Sequence, residues 1–188
     1  MMVLPRNRDW IPPASDLLLV AVLIALGVAG RLLPHLPIVT PVAASALFAS
    51  RVLRVRALAF VVPVAAMALS DAALGFYDWR VMLVVYAALA VPALGGCLFH
   101  RLRATGIAAI VLSSSLIFFI ASNFAVWAFS GMYANDLAGL IVCYVAALPF
   151  LKYAVAGDAV WAAALFGCHR LIQSDGMPRG AVPAGRSL

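Results

Sequence analysis

The sequence predicts an all-α fold: a polytopic membrane bundle of about six transmembrane helices. Three observations lead to this prediction. Of the 188 residues, 66% are hydrophobic and 11% are charged, whereas roughly a quarter of residues are charged in soluble domains. The mean hydropathy is +1.08. The apolar residues form continuous runs, most of them near the ~20 residues that cross hydrocarbon. We therefore expect residues 1–188 to form a single integral membrane domain.

The apolar runs give the predicted spans in order. The first, with the run LLLVAVLIALGVAG, precedes a short second span, and three longer runs follow. A last run is preceded by the apolar segment 137–149, which we interpret as a short or re-entrant helix packed against protein. Residues 173–188 contain Pro, Gly and Arg, and are expected to form a flexible cytoplasmic tail. The predicted spans are 16–33, 41–50, 57–75, 81–98, 105–130 and 151–171.

The positive charges are distributed unequally between the two sides of this threading. Short cytoplasmic loops retain Lys and Arg, so the richer side is predicted to be cytoplasmic, with both termini there. The same asymmetry accounts for the net charge of +6, so the lipid bilayer is the expected partner and nucleic acid is not. Ten residues lie on the richer side (Arg6, Arg8, Arg51, Arg54, Arg56, Arg101, Arg103, Arg170, Arg179 and Arg186) and three on the other (Arg31, Arg80 and Lys152).

Three polar side chains are predicted to lie within the outer halves of different spans. Asp71 is about one turn inside the end of span three, Asp158 is about 9 Å below the start of span six at 1.5 Å per residue, and Asn123 has a similar depth in span five. An ionisable group within a span costs at least ~2.5 kcal/mol and usually faces the bundle interior. We therefore predict a substrate-binding pocket near the outer face.

Three further residues complete this predicted pocket. Arg31 and His35 close span one on the same side and are assigned to the rim. Trp127 lies one turn after Asn123, on the same helix face, where it could stack on a planar ligand. The alternative interpretation makes the polar residues ties between helices, with Asp71 paired to Arg31 or Arg80, and Asp158 to Lys152. The chain would then be a non-catalytic accessory or structural subunit of a larger membrane complex.

Motifs for catalysis are lacking in the sequence. It contains no nucleotide-binding loop, zinc-protease motif or hydrolase elbow, so we do not expect an enzyme. Cys97 and His100 at the cytoplasmic end of span four, with Cys168 and His169 at that end of span six, are four potential metal ligands. Adjacent helical residues point about 100° apart, however, so we predict no metal site and leave any cofactor unassigned.

Span one carries small residues four positions apart on one face, at Ala21, Ala25 and Ala29. Small-residue rows allow close helix approach in membranes. The row is therefore a candidate docking surface for a partner helix, and packing within the chain explains it equally well.

Four stretches resemble a group of small bacterial membrane proteins related to the substrate-binding S-components of energy-coupling-factor vitamin transporters: RLLPHLPIVTPVAASALFA, MALSDAALGF, SNFAVW and GLIVCYVAALPFLKYAVAGD. The resemblance implies a six-helix bundle in a bacterial cytoplasmic (inner) membrane that binds a small micronutrient, vitamin-like or a cofactor precursor, near the outer face. It also implies that the alanine row docks a transmembrane coupling subunit. The resemblance does not identify the ligand.

Overall fold

The structure, a computed structural model, describes residues 12–33, 39–99 and 103–175. All regular secondary structure in these ranges is α-helical, as the sequence predicted. Six helices follow one another: α1 (Ala14–Leu32), α2 (Val42–Val52), α3 (Leu58–Leu74), α4 (Trp79–Leu98), α5 (Ala104–Phe129) and α6 (Leu137–Asp175).

Four of these helices, α1, α4, α5 and α6, are long and apolar enough to cross a membrane. The other two are also apolar but shorter, with 11 residues in α2 and 17 in α3. At 1.5 Å per residue α2 is only about 16 Å long, roughly half the hydrocarbon thickness. The chain is thus an all-helical membrane protein with four full-length candidate spans among its described residues, rather than the six predicted.

The short helix α2 lies at the centre of the bundle. It packs against α1, α3, α4 and α6, and every residue from Ala44 to Ser50 is buried. Most of these residues are Ala or Ser, and small side chains allow helix backbones to approach closely. Gly96 of α4 shows how close the approach is, because a Cβ added there would lie 1.8 Å from Ser50 Oγ.

The first helix packs against α3 and α2 along one face. That face carries Asp16, Val20, Leu23 and Gly27, all buried. The Asp16 carboxylate accepts hydrogen bonds from the backbone N–H groups of Arg54 at 2.8 Å and Val55 at 3.1 Å. It therefore fixes the connection between α2 and α3 to the start of α1.

The prediction of a short or re-entrant helix at 137–149 is wrong. Residues 137–149 are the first part of one continuous 39-residue helix, α6, which is about 58 Å long. Pro149 lies inside it and removes one backbone donor. Neighbouring helices can nevertheless sustain a Pro-containing membrane helix, and here Tyr144 donates to Ile120 O of α5 at 2.7 Å. Residues 173–175, assigned to the tail, are helical too; the rest of that tail lies outside the described residues.

We expect Gly27→Ala to lower the thermal stability of the purified protein. The new Cβ would lie 2.8 Å from Ala66 Cβ on α3, and neither atom can move without its backbone. Overpacking of this kind typically costs about 1–3 kcal/mol. Thermal unfolding in detergent measures the effect. Gly167→Ala is the matched control, because a Cβ there has no neighbour within 4 Å; equal midpoints for the two variants would contradict the close α1–α3 contact.

Candidate functional site

A cavity of about 330 Å³ lies among the helices, within the usual size range of small-molecule sites, about 300–1,000 Å³. It extends from the ends of α1 and α3, where Leu74 is exposed, to the middle of α5 and α6. Most of its wall is apolar. The residues around it are Arg31, Thr40, Ala43, Met67, Leu74, Val85, Ala88, Leu89, Pro92, Ser114, Phe118, Ala154 and Asp158.

One end of the cavity is lined by Arg31 of α1, which forms an ion pair with Asp71 of α3. Arg31 Nη2 lies 2.5 Å from Asp71 Oδ1, and its other terminal nitrogen contacts the Met67 sulfur. The hydroxyl of Tyr86 on α4 donates to Asp71 Oδ2 at 2.7 Å. Asp71 is only 1% exposed, so both of its oxygens are partnered inside the protein. The alternative interpretation of the sequence named Arg31 and Arg80 as possible partners of Asp71, and the structure has the pair with Arg31.

The charges of this ion pair affect the pKa of Tyr77, which lies in the connection between α3 and α4. Partial burial raises the pKa of its hydroxyl above the ordinary value, the Asp71 charge raises it further, and Arg31 opposes the shift. The hydroxyl is therefore protonated at neutral pH.

The acidic end of the cavity is Asp158 of α6. Its Oδ2 lies 2.7 Å from Ser115 Oγ on α5, and that hydroxyl is also 3.0 Å from its own-helix carbonyl at Val111. Across the described ranges no lysine or arginine forms a salt bridge with Asp158. Lys152, its predicted partner, is exposed with Nζ over the Tyr153 ring at 5.0 Å. The predicted Asp158–Lys152 tie is therefore wrong.

The predicted meeting of Asp71, Asn123 and Asp158 at one depth is also wrong. Asp158 pairs with Ser115, which precedes Asn123 on α5 by about 12 Å. The error came from α6. Because residues 137–149 continue into this helix, Asp158 lies more than halfway along it rather than just below its outer end.

Asn123 and Trp127 do not line the cavity. The Asn123 amide donates to the Phe119 carbonyl of its own helix at 2.8 Å, beside a separate recess of about 130 Å³. Trp127 Nε1 donates to Ala134 O at 2.9 Å, and its ring centroid is 5.4 Å from that of Phe124. These bonds hold the end of α5 and the connection that follows it. His35 lies outside the described residues.

The alanine row of α1 faces away from the core. Ala21 and Ala25 are exposed and Ala29 is half-buried, whereas the buried face of α1 lies on the other side. The potential metal ligands do not assemble. Among the residues that the structure describes, no three metal-ligating side chains come together; His169 packs edge-on against Phe48, Cys97 is half-buried, Cys168 is exposed, and His100 is outside the described ranges.

Two residues of the site were not predicted from the sequence: Tyr86 and Ser115. A tyrosine within an apolar helix is a usable signal, because a buried phenol normally finds a hydrogen-bond partner. Ser115 belongs to a run of three serines that we would assign to helix packing. Ser115 can be recognised as a partner of the Asp158 carboxylate only when the position of Asp158 along α6 is known.

Together, the apolar helices and the enclosed polar residues define an all-helical membrane protein with an internal cavity. The chain belongs to a family of unknown function, DUF6580, whose profile matches residues 13–179 and so covers all six helices. No curated protein and no solved structure matches it. These comparisons therefore provide no link to S-components.

Asp71→Ala is expected to destabilise the protein strongly. It leaves the Arg31 guanidinium without its counter-charge, and breaking a buried pair from one side typically costs about 3–5 kcal/mol. The double variant Arg31→Met/Asp71→Leu should recover most of that loss, because apolar residues of similar volume often replace buried pairs at little cost. Thermal unfolding in detergent measures both. A single variant as stable as the wild type would contradict the structural importance of the pair.

Proposed function

We propose that this protein binds a small micronutrient, vitamin-like or a cofactor precursor, in the central cavity and carries it across the membrane. The observation that supports the proposal best is the cavity, because it brings Arg31 and Asp158 to two ends of one largely apolar chamber. Binding sites for small molecules typically combine such walls with a few polar groups that fix orientation.

The arrangement of the polar groups is consistent with capture from one side of the membrane. The Arg31 end lies where α1 and α3 finish, beside exposed Leu74, and the Asp158 end lies deep in the bundle. The positive-inside distribution makes the Arg31 end the outer one. A ligand would thus enter from outside, and the S-component resemblance supports the same direction.

The energy for transport would come from a partner, since the sequence has no nucleotide-binding motif. The exposed Ala21 and Ala25 suit a transmembrane coupling subunit, because small side chains permit close contact between helices. In this proposal α1 serves two purposes. Its inner face carries Gly27 against α3, and its outer face meets the partner.

Ala88→Leu should abolish ligand binding, because Ala88 is buried and lines the cavity, so the added carbon atoms occupy ligand space. The control is Ala87→Leu, a change of the same size at the next, exposed residue. Native mass spectrometry of the purified protein, first for a co-purified ligand and then with a vitamin panel, measures binding. Absence of any ligand in the wild type, or equal binding by both variants, would count against the proposal.

A second candidate function is that of an accessory subunit in a larger membrane complex. The observation that favours it is that Asp71, predicted to bind substrate, has both oxygens occupied by Arg31 and Tyr86. In this case Arg31, Asp71 and Tyr86 tie α1, α3 and α4 together, and the cavity has no ligand.

We expect Ala25→Leu to release any subunit bound at the alanine row, because a larger side chain separates the two helix backbones. Blue native electrophoresis of mildly solubilised membranes measures the size of the complex. Ala164→Leu, at an exposed position on α6, is the matched control. A complex of unchanged size in Ala25→Leu would exclude the row as its interface; loss of the complex with no ligand bound to the wild type would favour the accessory function.

A further inference from the structure

The charges around the central cavity do not balance. Among the described residues that line it, Arg31 and Asp158 are the charged ones. The Arg31 charge is already matched by Asp71, at 2.5 Å, and Tyr86 occupies the other Asp71 oxygen. Asp158 is thus the remaining charged group on the cavity wall without a counter-ion within the described ranges.

The surroundings of Asp158 do not compensate for its charge. Its described hydrogen-bond partner is Ser115, a neutral hydroxyl that also lies 3.0 Å from a backbone carbonyl. Ser114, Phe118 and Ala154, each within four residues of Ser115 or Asp158 on the same helix, also line the cavity and carry no charge. Asp158 is half-buried on a largely apolar cavity wall, and an ionised carboxylate without a counter-ion is costly within a membrane span.

The opposite end of the cavity offers little to an anion. A carboxylate or phosphate arriving at Arg31 would have to compete with Asp71, which is held by both Arg31 and Tyr86. It would also leave Asp71 with a buried, unmatched charge. A cation arriving at Asp158 displaces no existing ion pair.

We propose that the ligand of this cavity is a compact organic cation with a single positive charge, bound by its cationic group to Asp158. This inference rests on the proposed function, because it names the chemical class of the ligand of that same cavity. The apolar body of the cation lies along Met67, Val85 and Leu89, which line the same chamber. Phe118 lies on the wall beside Asp158 and can place an aromatic face against the positive charge.

The proposal is tested with micronutrients sorted by charge at neutral pH: thiamine and choline as cations, riboflavin and nicotinamide as neutral molecules, and biotin and pantothenate as anions. Native mass spectrometry and ligand-induced thermal shift of the full-length protein measure binding. We expect a cation to bind best. Asp158→Asn, which keeps the shape of the side chain and removes its charge, should weaken that binding at least tenfold.

Asp136→Asn is the matched control. Asp136 lies before α6 and accepts the Gly139 N–H at 2.7 Å, a bond that the Asn oxygen can also accept, so cation binding should be unchanged. Size-exclusion profiles establish that both variants fold, and the charge preference of the wild type tests the proposal without any variant. Preferred binding of a neutral or anionic compound, or undiminished cation binding by Asp158→Asn, would overturn the cationic class and leave the proposed function intact. No binding in any class would overturn both.

Discussion

Polar groups inside a hydrocarbon layer must find their partners within the protein, and this constraint organises the bundle. Asp71 is satisfied by Arg31 and Tyr86 from two other helices, so one carboxylate joins α1, α3 and α4. Asp16 performs the equivalent task at the other end of α1, where it accepts two backbone N–H groups of the α2–α3 connection. Within hydrocarbon such polar groups have few alternative partners. The two sets of contacts join α1 to α3 and α4 at one end and to the α2–α3 connection at the other.

The centre of the bundle is filled by α2, a helix too short to cross a bilayer. Because α2 is enclosed by four neighbours, its Ala and Ser residues contact protein on all sides. Small side chains bring the backbones close together, which maximises dispersion contacts where no hydrophobic driving force operates between helices. The tight core contrasts with the cavity next to it. There residues of all six helices surround about 330 Å³ that their side chains do not fill.

The sequence predicted most of the fold because apolar runs mark helices directly, and five of the six predicted spans begin and end within two residues of α1 to α5. The sixth failed at Pro149, which is a helix breaker in water but is tolerated in packed membrane helices. That one error displaced Asp158 along α6 and produced the wrong grouping with Asn123. The Arg31–Asp71 pair was predictable because both residues lie near helix ends on one side. The roles of Tyr86 and Ser115 depend on helix rotation and depth, which hydropathy does not encode.

Asp158 lines the cavity, and Asp71 lies next to it as the partner of Arg31. The two carboxylates differ in how completely their hydrogen bonds and charges are matched. Asp71 has a complete set of partners, so a purely structural role explains its burial. Asp158, which is half-buried, has one described partner, the Ser115 hydroxyl. This neutral contact joins α5 to α6 without balancing the charge of the carboxylate. The contacts of Asp71 are therefore equally consistent with an accessory subunit and with a transporter, whereas the unbalanced Asp158 carboxylate on the cavity wall is the feature that favours a cavity that binds a cation.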